Sequence, residues 1–271
     1  MIRFLILAGY FELTMYLQLS GKLNQYINLH YSYLAYISMF LSFVLALVQL
    51  IIWVKQMKIH SHLSGLWAKV ASIFLLCIPL FVGLFFPTVT LDSQTVSAKG
   101  YHFPVAAGSS KEIQQDEGTT TQYLKPDTSS YFTKSAYESE MKQAAKKYVD
   151  KKVIQVTTEN YMEVMEVIYD YPQEFEGKQI EFTGFVYNDP SHPDSQFLFR
   201  FGIIHCIADS GVYGLLTTGA PQHFDNNTWI HAKGTLSIEY HKQLKQSLPI
   251  LHITDCQTIT KPSNPYVYRV F

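Results

Sequence analysis

The chain has 271 residues, 48% of them hydrophobic and 16% charged, with a formal net charge of −1. That length suits two units at roughly 100–200 residues each. A charge so near zero gives nothing for a polyanion to read, so nucleic acid is not an expected partner. Three cysteines, Cys77, Cys206 and Cys256, are too few for a disulfide framework, although a single Cys206–Cys256 bridge remains open.

The charge deficit is local. Charged residues are rare between Phe4 and Pro87 and ordinary after Leu91, which separates a membrane part from a water-exposed part. A span needs about 20 mostly apolar residues. The segment 33–54 has no charge, and 66–86 carries only Lys69 near one end, where its head can snorkel to the headgroups. Pro79 predicts a kink in the latter. The segment 4–19 is shorter and holds Glu12. It lacks a small-residue cleavage site and is read as a retained span. Tyr16, Tyr26, Tyr31, Tyr33, Trp53 and Trp67 fall near the proposed boundaries, where amphipathic rings are favoured.

Lys55, Lys58 and Lys69 flank the second and third spans on one side, and Arg3 precedes the first; the loop between spans one and two has Lys22 alone. The basic side belongs in the cytoplasm. Three spans with the N-terminus inside therefore place the region after Pro87 outside, in a multi-pass protein of the cell membrane. On a helix Glu12 shares a face with Ala8 and Gly9, small residues that admit a close helix. A carboxylate at bilayer depth marks a docking or pathway position; a displaced span with Glu12 at the interface is the alternative.

Residues 88–156 read as an extracytoplasmic tether, disordered around Gly108–Thr121, a small polar run without periodicity. Lys134–Lys152 is a short helix candidate. From residue 157 the pattern becomes compact. Asn160–Tyr171 has helical spacing, with Thr157 or Thr158 as cap and Pro172 as terminator. Lys178–Tyr187 alternates as a half-buried strand with a bulge or coil at Gly184. Further strands are predicted at Gln196–Ile207, Val212–Thr217, Thr228–Tyr240 and Pro249–Thr260. A helix before five strands makes residues 157–271 an α+β or all-β domain, in the form of a small OB-like barrel, with a β-sandwich as runner-up.

The phrases LSGKLNQYINLH, EFEGKQIEFTGFVY, RFGIIHCIADSGVYGLL, NTWIHAKGTL and PSNPYVYRVF stand in this order along the chain. Together they resemble the YcgQ-like family of permease subunits over nearly the whole length. The most distinctive phrase contains Arg200, Phe201, Ile203, Cys206, Ala208 and Asp209. Relatives carry a second cysteine where this chain has His205. The resemblance implies an accessory subunit working with a multi-spanning YcgR-like permease, and it identifies no substrate.

Arg200, His205, Cys206 and Asp209 are thus the candidate binding residues. Thiolate and imidazole suit zinc and similar ions, with His231, His252 and Cys256 as further ligands if their strands converge. Strand alternation would put His205 and Cys206 on opposite faces, leaving Cys206 on an apolar one with Ile204 and Ala208. Asp209 precedes a Ser-Gly pair and fits a local Asx-type turn. Arg200 can pair with a carboxylate or meet a partner. A nucleophile–base–acid set of Cys206, His231 or His252, and Asp209 has no accompanying local signature, and an enzyme is not expected. Two classes of function remain, the permease subunit and a stand-alone tethered module binding a metal or small ligand.

Overall fold

A computed structural model describes residues 1–57, 65–86, 88–101, 134–190, 195–241 and 246–270. It forms two compact units, Met1–Thr90 and Leu91–Phe271. The Gly108–Thr121 run lies outside the described residues.

The first unit holds α1 (Ile2–Leu19), α2 (Ser32–Val54) and α3 (Leu66–Phe85). All three are long and apolar enough to cross a membrane. Large side chains such as Phe40 and Phe74 point outward, as lipid-facing positions must. Between helices, small residues receive large ones. A Cβ on Gly9 would meet Leu80 at 3.0 Å, and one on Gly83 would meet Leu13 at 2.9 Å. This reciprocal fit brings α1 and α3 close, the means by which helices associate without a hydrophobic driving force. Tyr10 donates its hydroxyl to the carbonyl of Leu76 at 2.9 Å.

The second unit contains α4 (Ser93–Lys99), α5 (Lys134–Val149), α6 (Tyr161–Asp170) and α7 (Pro172–Phe175). Its strands are β1 (Val153–Gln155), β2 (Gln179–Asn188), β3 (Gln196–Ile203), β4 (Gly211–Thr218), β5 (Trp229–His241), β6 (Gln246–Thr258) and β7 (Val267–Tyr268). The order β1-β2-β5-β6-β4-β3-β7, with a further β2–β3 pairing, closes β2, β5, β6, β4 and β3 into a ring. β4 and β6 run parallel and the other four ring contacts are antiparallel. This is a five-stranded OB-like barrel. A sandwich would have left two separate sheets.

The ring holds together because β2 uses both edges. One edge pairs with β5 along Gln179–Phe185; the other meets β1 at Gln179–Glu181 and β3 at Phe185–Asn188. Gly184 lies at that change. A Cβ there would come 2.8 Å from the carbonyl oxygen of Phe199, so only glycine lets β3 approach so near. Ile180, Phe182, Leu198, Leu215, Ile230 and Ala232 fill the core almost without exposure.

The predicted tether contributes to this unit at both ends. Asp92 caps α4 by accepting from the N–H groups of Gln94 and Thr95. Leu91 N–H donates to the Tyr266 hydroxyl at 2.9 Å and Ser93 N–H to Asn227 at 2.8 Å. Tyr101 lays its ring 4.9 Å from Phe197 and 5.8 Å from Phe199, and donates to the Asp189 carboxylate at 2.5 Å. On the other side, α5 buries Met141, Ala144, Ala145 and Tyr148.

Several predicted boundaries shift. The strand begun at Gln196 stops at Ile203, not Ile207, because residues 207–209 form a 3-10 turn. Thr157 and Thr158 do not cap α6; Asn160 stands at its start and turns its side-chain oxygen back to the Thr157 N–H, 2.7 Å away. Pro172 opens α7 after α6 has ended, where its missing N–H costs nothing.

Tyr101→Ala should destabilise a fragment spanning 89–271 by about 3 kcal/mol, as loss of a large ring from a packed face does. Tyr101→Phe should cost about 1 kcal/mol, the worth of one hydrogen bond. Urea titration of the three fragments checks both values; equal midpoints would show that residues 91–101 do not hold the barrel.

Candidate functional site

Arg200 lies on β3 and is 3% exposed. β2 and β3 pair only from Phe185 to Asn188 against Gln196 to Phe199. Arg200 is the first residue of β3 beyond that pairing. Its Nε donates to the carbonyl of Pro265 at 3.2 Å, and Nη2 donates to those of Asn264 and Tyr266 at 3.1 Å each. Nη1 donates to the Thr158 hydroxyl at 3.1 Å. The rings of Tyr161 and Trp229 lie 5.6 and 5.8 Å from the guanidinium carbon, within cation–π range. Burial lowers the pKa of the group from its ordinary value, while nearby Tyr161, Tyr268 and Glu159 oppose that shift.

The same contact sets the position of β7. Gly202 and Ile203 pair in parallel with Val267 and Tyr268. Arg269 then donates to Glu166 of α6 at 2.8 Å in a largely buried ion pair. Parts of two sequence phrases, RFGI (200–203) and NPYVYR (264–269), therefore form one piece of structure although more than sixty positions separate the paired residues.

Beyond Ile203 the strand parity argument no longer applies. Asp209 accepts from the N–H groups of His205 and Cys206 at 3.0 to 3.1 Å, and its second oxygen sits 2.7 Å from Nδ1 of His205. The bonds run back along the chain, not forward into the Ser-Gly pair. In return the Cys206 side chain accepts from the Asp209 N–H, completing a reciprocal cap. Cys206 is half-buried at this turn rather than packed in an apolar strand face. Lys99 of α4 donates to Ser210 at 3.3 Å, tying the turn to the segment after Thr90.

The other candidate ligands do not converge on Cys206. Cys256 pairs with Ala232, on the core side of β5, whereas His231 pairs with Gln257 on the outer side and bonds Thr183 at 3.0 Å. Burial, followed by the charge of Asp255, raises the Cys256 thiol pKa. All three cysteines are unpaired. Among the described residues, no three His, Cys, Asp or Glu side chains gather as a metal would require. Nor do His231 and His252 join Cys206 and Asp209 as a nucleophile–base–acid set: His231 bonds Thr183, and His252 bonds Thr218, Ser237 and Glu239.

His252 has partners that sequence reasoning missed. Its Nδ1 lies 2.7 Å from the Thr218 hydroxyl, and Nε2 lies 2.7 Å from Ser237 and 2.6 Å from Glu239. Hydrogen bonds from Ser237 and His252 hold the Glu239 carboxyl below its usual range. This cluster binds β4, β5 and β6 where the parallel pairing closes the ring. Only the strand order brings these residues together, and no local spacing signals it.

Glu12 is exposed on α1 and has no hydrogen-bond or ion-pair partner among the described residues. Three residues before it on the same helix, Gly9 receives Leu80 of α3.

Comparison with known proteins gives two matching family models. The DUF1980 N-terminal domain covers residues 2–102, and the DUF1980 C-terminal domain covers residues 131–269. The chain belongs to the DUF1980 family. A relative in Streptococcus mutans serotype c, named "Putative two-component membrane permease complex subunit", is 67% identical over 271 residues and the full length of both chains. The UPF0703 protein YcgQ of Bacillus subtilis is 40% identical, again over the full length of both. The N-terminal model runs past the Met1–Thr90 unit into the segment that packs on the barrel, and the interval between the two models holds the Gly108–Thr121 run. The three apolar helices make this DUF1980 protein a membrane protein.

Arg200→Lys should cost about 3 kcal/mol of barrel stability. A lysine cannot answer three carbonyls held in a fork-shaped array, and buried acceptors left unpaired cost about 1–3 kcal/mol each. Cys206→Ala should cost about 1 kcal/mol as a lost cap, with Cys206→Ser close to wild type. Denaturant midpoints order the variants; a serine variant as weak as the alanine one would contradict capping by the side chain.

Proposed function

We propose that this DUF1980 protein is the accessory subunit of a membrane permease complex. Its helices dock on a multi-spanning YcgR-like permease, and its OB-like barrel stands outside the cytoplasm near the mouth of that permease. The observation that carries the reading is Glu12. It lies ten residues into an 18-residue helix, faces outward and has no partner within its own unit. A carboxylate near mid-membrane costs a few kcal/mol unless protein or water answers it. The name of the Streptococcus mutans relative supports a permease complex as the source of that answer. Arg3, Lys55 and Lys69 at one end of the bundle against Lys22 at the other support this orientation, as does Lys58 in the sequence after the second span.

The reading assigns Arg200, Cys206 and Asp209 to maintaining the surface the barrel presents, and Glu12 to docking. No transported substrate is implied.

Purification of the tagged full chain in mild detergent should recover a large polytopic protein in near-equal amount. Glu12→Ala should reduce that recovery by about tenfold or more, since its loss strands whatever cationic or polar group faces it. Recovery of the chain alone, with a bound metal or small ligand, would instead establish a tethered binding module. Orientation has its own test. A reporter that works only outside the cytoplasm, fused after Phe271, should be active, and a paired cytoplasmic reporter silent; the opposite result would reverse the topology.

A further inference from the structure

The three-helix unit contains a cavity of about 930 Å³, at the upper end of the 300–1,000 Å³ common for small-molecule sites. It opens among the first turns of α1, the last of α2 and the first of α3. Ile6, Ile52 and Ile73 form its apolar wall, and Arg3 and Lys69 line it. None of its lining residues is acidic. Along α1 the lining runs from Met1 to Tyr10, so from Arg3 inward it extends about 10 Å at 1.5 Å per residue. Cations thus occur at the helix ends, where headgroups lie, and aliphatic side chains deeper, where acyl chains lie.

From this arrangement we infer that the cavity is a binding site for an anionic phospholipid of the surrounding leaflet. The phosphate is held between Arg3 and Lys69, and an acyl chain enters along Ile6, Ile52 and Ile73. Charge selects this occupant. A basic pocket between membrane helices at their positively charged end recognises acidic headgroups, whereas an apolar helix from a partner would leave both cations unanswered. The inference concerns the helical unit alone and holds whether or not a permease docks at Glu12.

The experiment is native mass spectrometry of the full chain released from detergent with equal amounts of phosphatidylglycerol and phosphatidylcholine. Wild type should retain phosphatidylglycerol about tenfold or more over phosphatidylcholine, the scale expected of two cations at an anionic surface. The double variant Arg3→Gln, Lys69→Gln should bring the ratio near one, and Lys22→Gln, at the other end of the bundle, should leave it unchanged. Ser72→Phe sets a ring in the acyl path while keeping both cations and should lower retention well below wild type. Equal retention of the two lipids by wild type would overturn the proposal. So would wild-type retention by Ser72→Phe, which would place the lipid on the outer surface. Should the double variant lose its helical circular dichroism, wild type and Ser72→Phe still decide the matter. Loss of phosphatidylglycerol whenever a permease co-purifies would give the cavity to a partner helix and overturn it as well.

Discussion

A guanidinium removed from water must have its N–H groups answered, and Arg200 meets that demand by drawing in the carbonyls of Asn264, Pro265 and Tyr266. It does so where β2 and β3 stop pairing. That seam would otherwise leave backbone groups of β3 without partners. With the three carbonyls in place, β7 pairs with Gly202 and Ile203, Tyr266 reaches Leu91, and Arg269 reaches Glu166. The stretch of chain that Arg200 positions thus supplies one attachment each for α6 and for the segment after Thr90.

This accounts for much of what could and could not be read from the sequence. The ring strands were legible because Ile180, Phe182 and Val186 alternate with polar residues and the glycines mark bends. β1 and β7, three and two residues long, are too short for any periodicity. They exist only because β2 and β3 each have an edge to fill. The membrane helices were read from composition, since twenty apolar residues are their own signal. Arg200 appeared to be a candidate for binding a partner, but the three carbonyls it holds lie more than sixty residues away and no spacing predicts them.

The turn after Ile203 shows a different limit. An alternating pattern continues through Ile204, Cys206 and Ala208, and a strand reading follows from it. Asp209 breaks the pattern by accepting three N–H contacts from His205 and Cys206, so a local carboxylate overrides the propensity of the residues before it. His252 illustrates the converse. With its neighbours Thr218 of β4 and Ser237 and Glu239 of β5 it joins three strands, and only the ring order brings the cluster together.

The ring closes over a short seam. β4 and β6 meet only through Leu216, Thr217 and Thr218 against Ile250, Leu251 and His252, and β5 pairs with β2 only from Trp229 to Thr235 before continuing with β6 alone to His241. The outer parts of β4, β5 and β6 are therefore paired on one side only among the described residues. A peptide that binds by adding itself as a further strand needs such a one-sided run of backbone, so the barrel retains a place where a short extended segment could be added to its sheet, whereas β1 and β7, three and two residues long, are too short to serve.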